Sequence, residues 1–249
     1  MATTTYLITG ASRGLGRGLV ETYLSRPNNI VVAAVRDPSS HTSQALYDLP
    51  RGPSSSLVVV KIDSHSETDA AAAMEELRSV HKIMALDVVI ANAGIAEVFP
   101  RVEDAQVADL LEHYQVNVIA VIVLFRAVLP LLKSSQKTGK FVTIGSSAGT
   151  IGSMDVIPVP NAVYGTSKAA LNYVTKKIHQ ENEDIIAFPV HPGWAQTDNG
   201  NHAARLWGLE KAAITVEESV AGLVNVIDGS TWEATSGKFM QYDGTTMAW

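Results

Sequence analysis

Short apolar runs rich in β-branched residues recur along the chain and alternate with longer segments of helical spacing. The runs cover residues 4–8, 30–35, 57–62, 86–91, 141–144 and 185–190. Each run is apolar at consecutive positions, which is typical of strands buried on both faces of a parallel sheet. Strands that alternate with helices in this way predict βαβ units.

The segments between the runs supply the helices. Helical spacing is clearest after the first run (Leu15, Leu19, Tyr23) and over residues 66–80, 102–132 and 163–178. Capping-box spacing marks two helix starts, at Ser66 with Asp69 and at Thr215 with Glu218. We predict an α/β protein with a doubly wound Rossmann-type parallel sheet of about seven strands, with helices on both faces, and a single domain over residues 1–249. Two stretches, 149–160 and 192–212, read as long irregular loops at the ligand-binding edge.

Composition and charge remove several classes of function. The net charge is −6 and no run of Lys or Arg follows a phosphate backbone, so we expect no nucleic-acid partner. The chain has no cysteine, which excludes disulfides and zinc ribbons, and we expect no metal. Its start lacks the pattern of a secretory signal, and we expect a cytoplasmic protein. The apolar stretch 116–132 contains Asn117, Arg126 and Pro130, which favours a buried or interface helix over a membrane span.

The stretch TGASRGLG, residues 9–16, places glycines at Gly10, Gly14 and Gly16. This spacing is not the Gly-x-Gly-x-x-Gly of the common dinucleotide fingerprint. It does follow a strand and open an amphipathic helix, so Gly10 and Gly14 allow a tight turn while Gly16 lets the helix approach the sheet. A phosphate-binding turn is the functional interpretation, and a glycine turn without a ligand is the alternative.

Polar groups at later strand ends point into the same crevice. Asp63 ends the third strand, and Asn92-Ala93-Gly94 ends the fourth. Tyr164 and Lys168 lie four residues apart on a predicted helix and therefore share one face. Taken singly, the aspartate reads as a helix cap and the Tyr–Lys pair as a surface pair.

Together these groups suit carbonyl chemistry. A phenol is a poor acid near neutral pH, but the ammonium of Lys168 favours the ionised form of Tyr164 and lowers its pKa. Ser146 or Ser147 follows the fifth strand and can bind a substrate oxygen beside the tyrosine hydroxyl. Asn117 can hold a water that relays protons to the lysine.

With these motifs the chain resembles the short-chain dehydrogenases/reductases over nearly its whole length, including HPGWAQTD at 191–198. The resemblance implies a catalytic tetrad of Asn117, Ser146, Tyr164 and Lys168. It also implies that Gly-x3-Gly-x-Gly is this family's form of the fingerprint. The implied cofactor-binding residues are Gly10, Ser12, Arg13, Gly14, Leu15, Gly16, Arg36, Asp63, Ser64, Asn92, Ala93, Gly94, Tyr164, Lys168, Pro192, Gly193 and Thr197.

Within the family, segments such as YLITGASRGLGRGLVE, QTDNG and TSGKF look like the fungal norsolorinic acid ketoreductase group, related to sniffer-type carbonyl reductases. Such a likeness implies fungal secondary metabolism. Ala91 and Ala195 depart from the usual family residues, and both changes are expected to alter packing only. The stretch between the serines and Tyr164 is longer than in most members, which leaves Ser146 and Ser147 open. Counting three residues back from Gly149 favours Ser146.

The resulting hypothesis is an NADPH-dependent ketoreductase that also runs in reverse as an alcohol oxidoreductase. Arg36 at the end of the second strand, with Arg13 in the turn, favours the 2′-phosphate of NADP(H), whereas Asp37 would favour NAD. A non-catalytic NADP-binding scaffold or sensor is the alternative, and a sugar-nucleotide epimerase would usually need a larger substrate lobe.

The substrate is a small-molecule ketone or alcohol, and a bulky or aromatic ketone fits best. Apolar residues on the two long loops predict the pocket: Met154, Val156, Ile157, Leu206 and Trp207. Residues 199–212 read as a lid. No membrane partner is expected, and a homodimer or homotetramer through the helices Val102–Leu132 and Val163–Ile178 is anticipated.

Overall fold

A computed structural model describes residues 3–156 and 159–249 of the chain. Eight strands form one sheet in the order β3-β2-β1-β4-β5-β6-β7-β8. Neighbouring strands are parallel, except that β8 runs antiparallel to β7. The strands are β1 Thr4–Thr9, β2 Asn29–Val35, β3 Ser56–Lys61, β4 Val88–Ala91, β5 Gly139–Ile144, β6 Ile185–His191, β7 Phe239–Gln241 and β8 Thr246–Met247. The strand order reverses at β1 and β4, which is where such sheets bind ligands.

Helices cover both faces of the sheet. They are α1 Gly14–Leu24, α2 His41–Gln44, α3 Asp69–Ser79, α4 Val107–Tyr114, α5 Ala120–Lys133, α6 Ala162–Glu181, α7 Asp198–Leu206 and α8 Val216–Asp228. Successive side chains of β1 enter different cores, because strand residues alternate between faces. Tyr6 and Ile8 pack in the core beneath α1 and α8, whereas Leu7 packs in the core beneath α3, α5 and α6.

The predicted helix 102–132 is divided in the structure. A short 3₁₀ turn, Val102–Asp104, precedes α4, and a π turn, Gln115–Ile119, joins α4 to α5. The segment Val107–Lys133 is long and apolar enough to cross a membrane by length and composition. In the fold α5 lies against the sheet and buries Leu124, Val128 and Leu131 in the core.

Two expectations for the loops need correction. Residues 192–212 contain α7, so this stretch is not irregular throughout. The Thr197 hydroxyl caps α7 by accepting a hydrogen bond from Gly200 N at 3.1 Å. The stretch 149–160 is entered through the 3₁₀ turn Ser147–Gly149 and contains a second one, Met154–Val156. The predicted cap at Thr215 is confirmed, since its Oγ1 accepts from Glu218 N at 3.1 Å at the start of α8.

Candidate active site

The glycine turn has the tight geometry that its spacing predicts. Gly10 has φ of 63° and Gly14 has φ of 54°, in the left-handed region that side chains with a Cβ rarely adopt. A Cβ on Gly16 would lie 2.2 Å from the carbonyl oxygen of Gly10, so only glycine allows α1 to start this close to the turn. A Cβ on Gly14 would meet the Thr197 side chain at 3.3 Å. The turn, α1 and the 197 region therefore form one cradle.

The end of β4 is joined to this cradle. The Thr9 hydroxyl accepts hydrogen bonds from the backbone N–H groups of Asn92 and Ala93, each at 3.0 Å. The Asn92 side chain donates to the carbonyl oxygens of Thr9 at 2.8 Å and Gly10 at 3.3 Å. These bonds hold the turn open beside the N-terminus of α1, whose free N–H groups attract phosphate. The cradle fits the pyrophosphate of a dinucleotide.

Around the cradle, Ser12 and Leu15 are partly exposed, and Leu15 also packs against the core. Arg13 is exposed and its Nη1 forms a salt bridge with Asp198 Oδ2 at 3.0 Å. Pro192 and Gly193 follow β6, and Gly193 has φ of 75° at a position where a Cβ would collide with Ile214 and Tyr242. The structure thus brings the predicted residues of the first, fourth and sixth strand ends to one edge.

The end of β2 carries the charges that bear on cofactor choice. Arg36 is exposed directly after β2. The Asp37 Oδ1 accepts hydrogen bonds from Ser39 N at 2.8 Å and from Ser39 Oγ at 2.6 Å. These bonds hold the pKa of the Asp37 carboxyl below its usual value. Asp37 is therefore engaged in its own turn, while the Arg36 guanidinium faces solvent.

Asp63 and Ser64 line a small cavity with Thr9, Ala93 and Val116. Asp63 Oδ1 accepts from His65 N at 3.0 Å and contacts His65 Nδ1 at 3.3 Å. His65 Nε2 lies 2.9 Å from Glu112 Oε1, and the Glu112 hydrogen bond raises the pKa of His65. His65 is not predicted from the sequence, because its contact with Glu112 spans distant parts of the chain.

Asn117 lies in the π turn and is fully buried. Its Oδ1 accepts from Ile95 N at 2.9 Å, and its Nδ2 donates to Ile95 O and Ser167 Oγ, each at 3.0 Å. The amide protons of Asn117 are therefore both used by the protein, and Oδ1 keeps one lone pair. A Cβ on Gly94 would come within 3.0 Å of Asn117 Oδ1 and 3.5 Å of Lys168 Nζ, so Gly94 lets the chain pass close to both.

Ser146, Tyr164 and Lys168 come together beside β5. Ser146 is buried and its Oγ accepts from Ala148 N at 3.2 Å. Ser146 also lies close enough to the Tyr164 hydroxyl to counteract part of the pKa rise that burial gives the tyrosine. Lys168 Nζ donates to Ile144 O at 2.9 Å and lies 5.8 Å from the centroid of the Tyr164 ring.

Burial governs the pKa values of both groups, which differs from the sequence-based expectation. It raises the pKa of Tyr164 and lowers that of Lys168 to about 8. Taking an ammonium out of water destabilises its charged form, and a phenolate suffers the same penalty. The pKa of Tyr164 is therefore raised, contrary to the expected lowering by Lys168, and Ser146 is the group that counteracts part of the rise.

The neighbouring serine is placed differently. The backbone N–H of Ser147 donates to His191 Nδ1 at 3.3 Å, and Ser147 begins the 3₁₀ turn that Ser146 caps. Burial lowers the pKa of His191 to about 4, which keeps its ring neutral and able to accept. Of the two serines, Ser146 is the one that affects the pKa of Tyr164.

An aromatic wall borders a cavity of about 570 Å³ beside Tyr164. Phe99 packs edge-on against Tyr164 at 5.8 Å and against Trp207 at 5.5 Å between ring centroids, and Trp207 packs on Trp194 at 5.4 Å. The cavity is lined by Glu97, Val98, Phe99, Pro100, Asp109, Pro160, His202, Leu206 and Trp207. Large apolar area with a few polar groups is typical of a small-molecule site.

Among the predicted pocket residues, Leu206 and Trp207 lie on this wall. Met154 is 61% exposed and is not among the lining residues. The predictions for the Val156 side chain and for Ile157 fall outside the residues that the structure describes. Phe99 is not among the predicted pocket residues, although its place shortly after the fourth strand end, at the ligand-binding edge, is a usable signal.

Comparisons with known proteins agree with this geometry. The short chain dehydrogenase family matches residues 4–205. A norsolorinic acid ketoreductase from Dothistroma septosporum is 44% identical over 249 residues, covering 99% of this chain and 92% of the relative. An NADPH-bound carbonyl reductase structure from chicken fatty liver superposes with a TM-score of 0.87 at 31% identity, covering all of both chains. The carbonyl reductase Sniffer of Drosophila melanogaster gives 0.86 at 29% identity, covering 99% of this chain and 100% of that one. The chain therefore belongs to the short-chain dehydrogenases and is an oxidoreductase.

Proposed function

We propose that the protein is an NADPH-dependent ketoreductase that acts on bulky or aromatic ketones and, in reverse, oxidises the alcohols. The observation that carries this proposal is the placement of the Tyr164 hydroxyl. It lies close enough to Ser146 for that serine to counteract part of the pKa rise that burial causes, while its ring packs against Phe99 at the edge of the aromatic cavity. In this proposal a ketone in that cavity extends its oxygen past Phe99 toward the hydroxyl groups of Tyr164 and Ser146. Its apolar body would lie on Phe99 and Trp207.

The protonation state and the hydrogen bonds of each residue determine its role. In this proposal Tyr164 gives its proton to the carbonyl oxygen, and the raised pKa of its buried hydroxyl keeps that proton in place near neutral pH. Ser146 orients the same oxygen by a hydrogen bond. When bound, NADPH supplies the hydride. Burial lowers the pKa of Lys168 to about 8. In this proposal its ammonium group leaves Ile144 O, binds the ribose hydroxyls of the cofactor and takes part in proton transfer to Tyr164.

The remaining tetrad member, Asn117, has a structural role in this proposal, because it holds the backbone of Ile95. Its side chain fixes Ile95 through both backbone groups, so that the chain leaving β4 keeps its course past the nicotinamide end of the cradle. Gly10, Ser12, Gly14, Leu15 and Gly16 hold the pyrophosphate. The other cofactor contacts are assigned to Asp63, Ser64, Asn92, Ala93, Gly94, Pro192, Gly193 and Thr197.

The choice of NADPH over NADH rests on Arg36 and Arg13. Arg36 is exposed at the end of β2, and Asp37 is engaged with Ser39, which leaves a guanidinium as the available group. Arg13 lies in the turn and forms an exposed salt bridge with Asp198, which a phosphate can displace. The carbonyl reductase from chicken fatty liver, described as NADPH-bound, supports the same choice.

We also propose that the enzyme forms a dimer or tetramer through α4, α5 and α6, and that it acts in the cytoplasm with α5 as a core helix. Five large side chains on these helices and the π turn are exposed: Val107, Leu111, Ile119, Ile122 and Tyr173. Their exposure is what an interface with a second copy would cover. Light scattering of the wild type and of the Leu111→Glu variant tests the interface. An unchanged oligomer in the variant contradicts it.

Replacing Tyr164 by phenylalanine tests the chemistry. The variant should fold and bind NADPH nearly as the wild type does, and lose at least ~10²-fold in kcat for ketone reduction, the scale of a positioned general acid. Steady-state oxidation of NADPH with an aromatic ketone measures the rate, and fluorescence titration measures cofactor binding. If most of the activity survives, Tyr164 is not the proton donor.

A further inference from the structure

The segment between Ile95 and Pro100, which follows β4 and forms one wall of the cavity, lacks regular secondary structure. It is tied at both ends. Asn117 holds Ile95, and Pro100 O accepts from Ala162 N at 3.1 Å at the start of α6, the helix that carries Tyr164. Between these ties, the position of the wall depends on what holds Glu97.

Two histidines hold the backbone of Glu97 from different elements. The N–H of Glu97 donates to His113 Nε2 at 3.2 Å, from α4. The carbonyl oxygen of Glu97 accepts from His202 Nε2 at 3.0 Å, from α7. The catalytic scheme uses neither histidine, although His202 lines the cavity that the scheme needs and His113 holds a residue of its wall.

The chemistry of His113 is fixed by its partners. Its Nδ1 lies 2.9 Å from Asp109 O, and a carbonyl only accepts, so Nδ1 carries the proton. Nε2 is then an acceptor, which is what the Glu97 N–H requires. The ring is 1% exposed and both of its nitrogens are paired. His113 is therefore a buried, fully hydrogen-bonded residue that holds the segment 95–100 in place.

His202 differs in place and exposure. It lies on α7 and is only partly buried, and its ring centroid is 6.5 Å from that of Phe99. Its bond to Glu97 O is one contact between α7 and the wall segment on the other side of the cavity. Breaking this single bond would let α7 move from the wall without disturbing the bond to His113.

We propose that His113 and His202 are positioning residues that hold the backbone of Glu97 through its N–H and its carbonyl oxygen. By holding Glu97 they set the distance between Phe99 and Tyr164. This distance decides how large a ketone the site accepts. His113 fixes the segment 95–100, and His202 holds α7 against that segment. The inference rests on the proposed function, since it concerns the substrate side of the same cavity.

Three substitutions at His113 separate its two bonds. In His113→Gln the side-chain oxygen can take the place of Nε2 and accept from Glu97, whereas the shorter side chain of His113→Asn reaches only the position of Nδ1. His113→Leu removes both bonds. His81→Leu is the matched control, because His81 lies just beyond α3 and pairs with Glu76.

The first measurement is KM for a small and a polycyclic aromatic ketone with saturating NADPH. His113→Leu and His113→Asn should raise KM for the large ketone roughly tenfold relative to the small one, equivalent to about 1.4 kcal/mol. His113→Gln and His81→Leu should keep the wild-type ratio. His202→Ala should change the ratio in the same direction by a smaller factor, because its bond is partly exposed.

The second measurement is hydrogen exchange at the Glu97 amide, which needs neither ketone nor cofactor. Exchange should be faster in His113→Leu and His113→Asn than in the wild type, and nearly unchanged in His113→Gln. The inference is overturned if all His113 variants exchange alike, or if the KM ratio stays constant while the amide is released. A wild type that reduces no ketone defeats the proposed function, but the exchange comparison still decides whether His113 holds the wall.

Discussion

Arg13 Nη1 lies 3.0 Å from Asp198 Oδ2, so a salt bridge joins the glycine turn to the first residue of α7. Arg13 must leave Asp198 if it is to bind the 2′-phosphate of NADPH. Both side chains are more than two-thirds exposed, and an exposed pair of this kind is worth at most about 1 kcal/mol. If Arg13 binds that phosphate, the cofactor and α7 compete for one guanidinium.

The Asp198→Asn variant tests this competition. It should bind NADPH tighter by up to about fivefold, the equivalent of about 1 kcal/mol, and leave NADH binding unchanged. Fluorescence titration with both cofactors measures the two constants. Asp184→Asn is the control, because Asp184 pairs with Lys133 at the opposite edge of the sheet. An equal gain for both cofactors would mean that Asp198 acts through α7 and not through the phosphate.

The Arg36→Ala variant tests the phosphate assignment directly. Charge-assisted hydrogen bonds contribute about 1.5–3 kcal/mol, so kcat/KM for NADPH should fall roughly 10- to 150-fold with NADH almost unaffected. Kinetics with each cofactor at a fixed ketone concentration give the ratio. Should the variant lose both activities alike, Asp37 must be reconsidered as a ribose ligand, despite its bonds to Ser39.

Lys168 predicts a pH dependence of stability. Its pKa is about 8 in the folded protein against 10.5 when exposed, so burying the ammonium destabilises the fold below pH 8, where both states are protonated. Between these two values only the unfolded chain keeps the proton, and the penalty fades as the pH rises. The stability of Lys168→Met relative to the wild type should therefore decline by about 2–3 kcal/mol from pH 7 to pH 10.

Urea denaturation of both proteins across this pH range measures the difference. Lys177→Met serves as the control, since Lys177 lies on the same helix, is 43% exposed and pairs with Glu181. A difference between Lys168→Met and the wild type that is constant with pH would show that Lys168 is not destabilised by burial.

Trp207 should matter according to substrate size. It contacts both Phe99 and Trp194, and its removal opens the aromatic wall on the α7 side. The Trp207→Ala variant should raise KM for polycyclic ketones more than for small ones, because lost apolar contact scales with buried area. A graded ketone series measures this effect. A uniform increase would identify Trp207 as a packing anchor.

The sheet and the glycine turn could be predicted because their signals are local. Six strands are long, consecutive apolar runs, and the glycines act through backbone geometry that only glycine permits. The last two strands were not among the predicted runs. Phe239–Gln241 and Thr246–Met247 have three and two residues, too short for a periodic pattern, and they depend on pairing with β6 and with each other.

The substrate side of the site could be predicted less well. The sequence DNGNHAARL is rich in weak helix formers, yet it forms α7 because Thr197 caps it and Trp207 packs beyond its end. The contacts of Phe99 with Tyr164 and of Glu97 with His113 and His202 join distant parts of the chain, and such contacts have no local signature.

The π turn at Gln115–Ile119 determines the direction in which Asn117 faces relative to α4, so the site depends on the register of this helix. A π turn accommodates one more residue than an α-helix would over the same length, and each residue of an α-helix turns the chain by roughly 100°. Deleting one residue here would restore a continuous helix from α4 to α5 and would rotate Asn117 and His113 out of alignment with each other. Substitutions keep the chain length and therefore leave the rotation of α4 relative to α5 unchanged. In this region a single deletion therefore changes the relative orientation of His113 and Asn117, which a change of side chain cannot do.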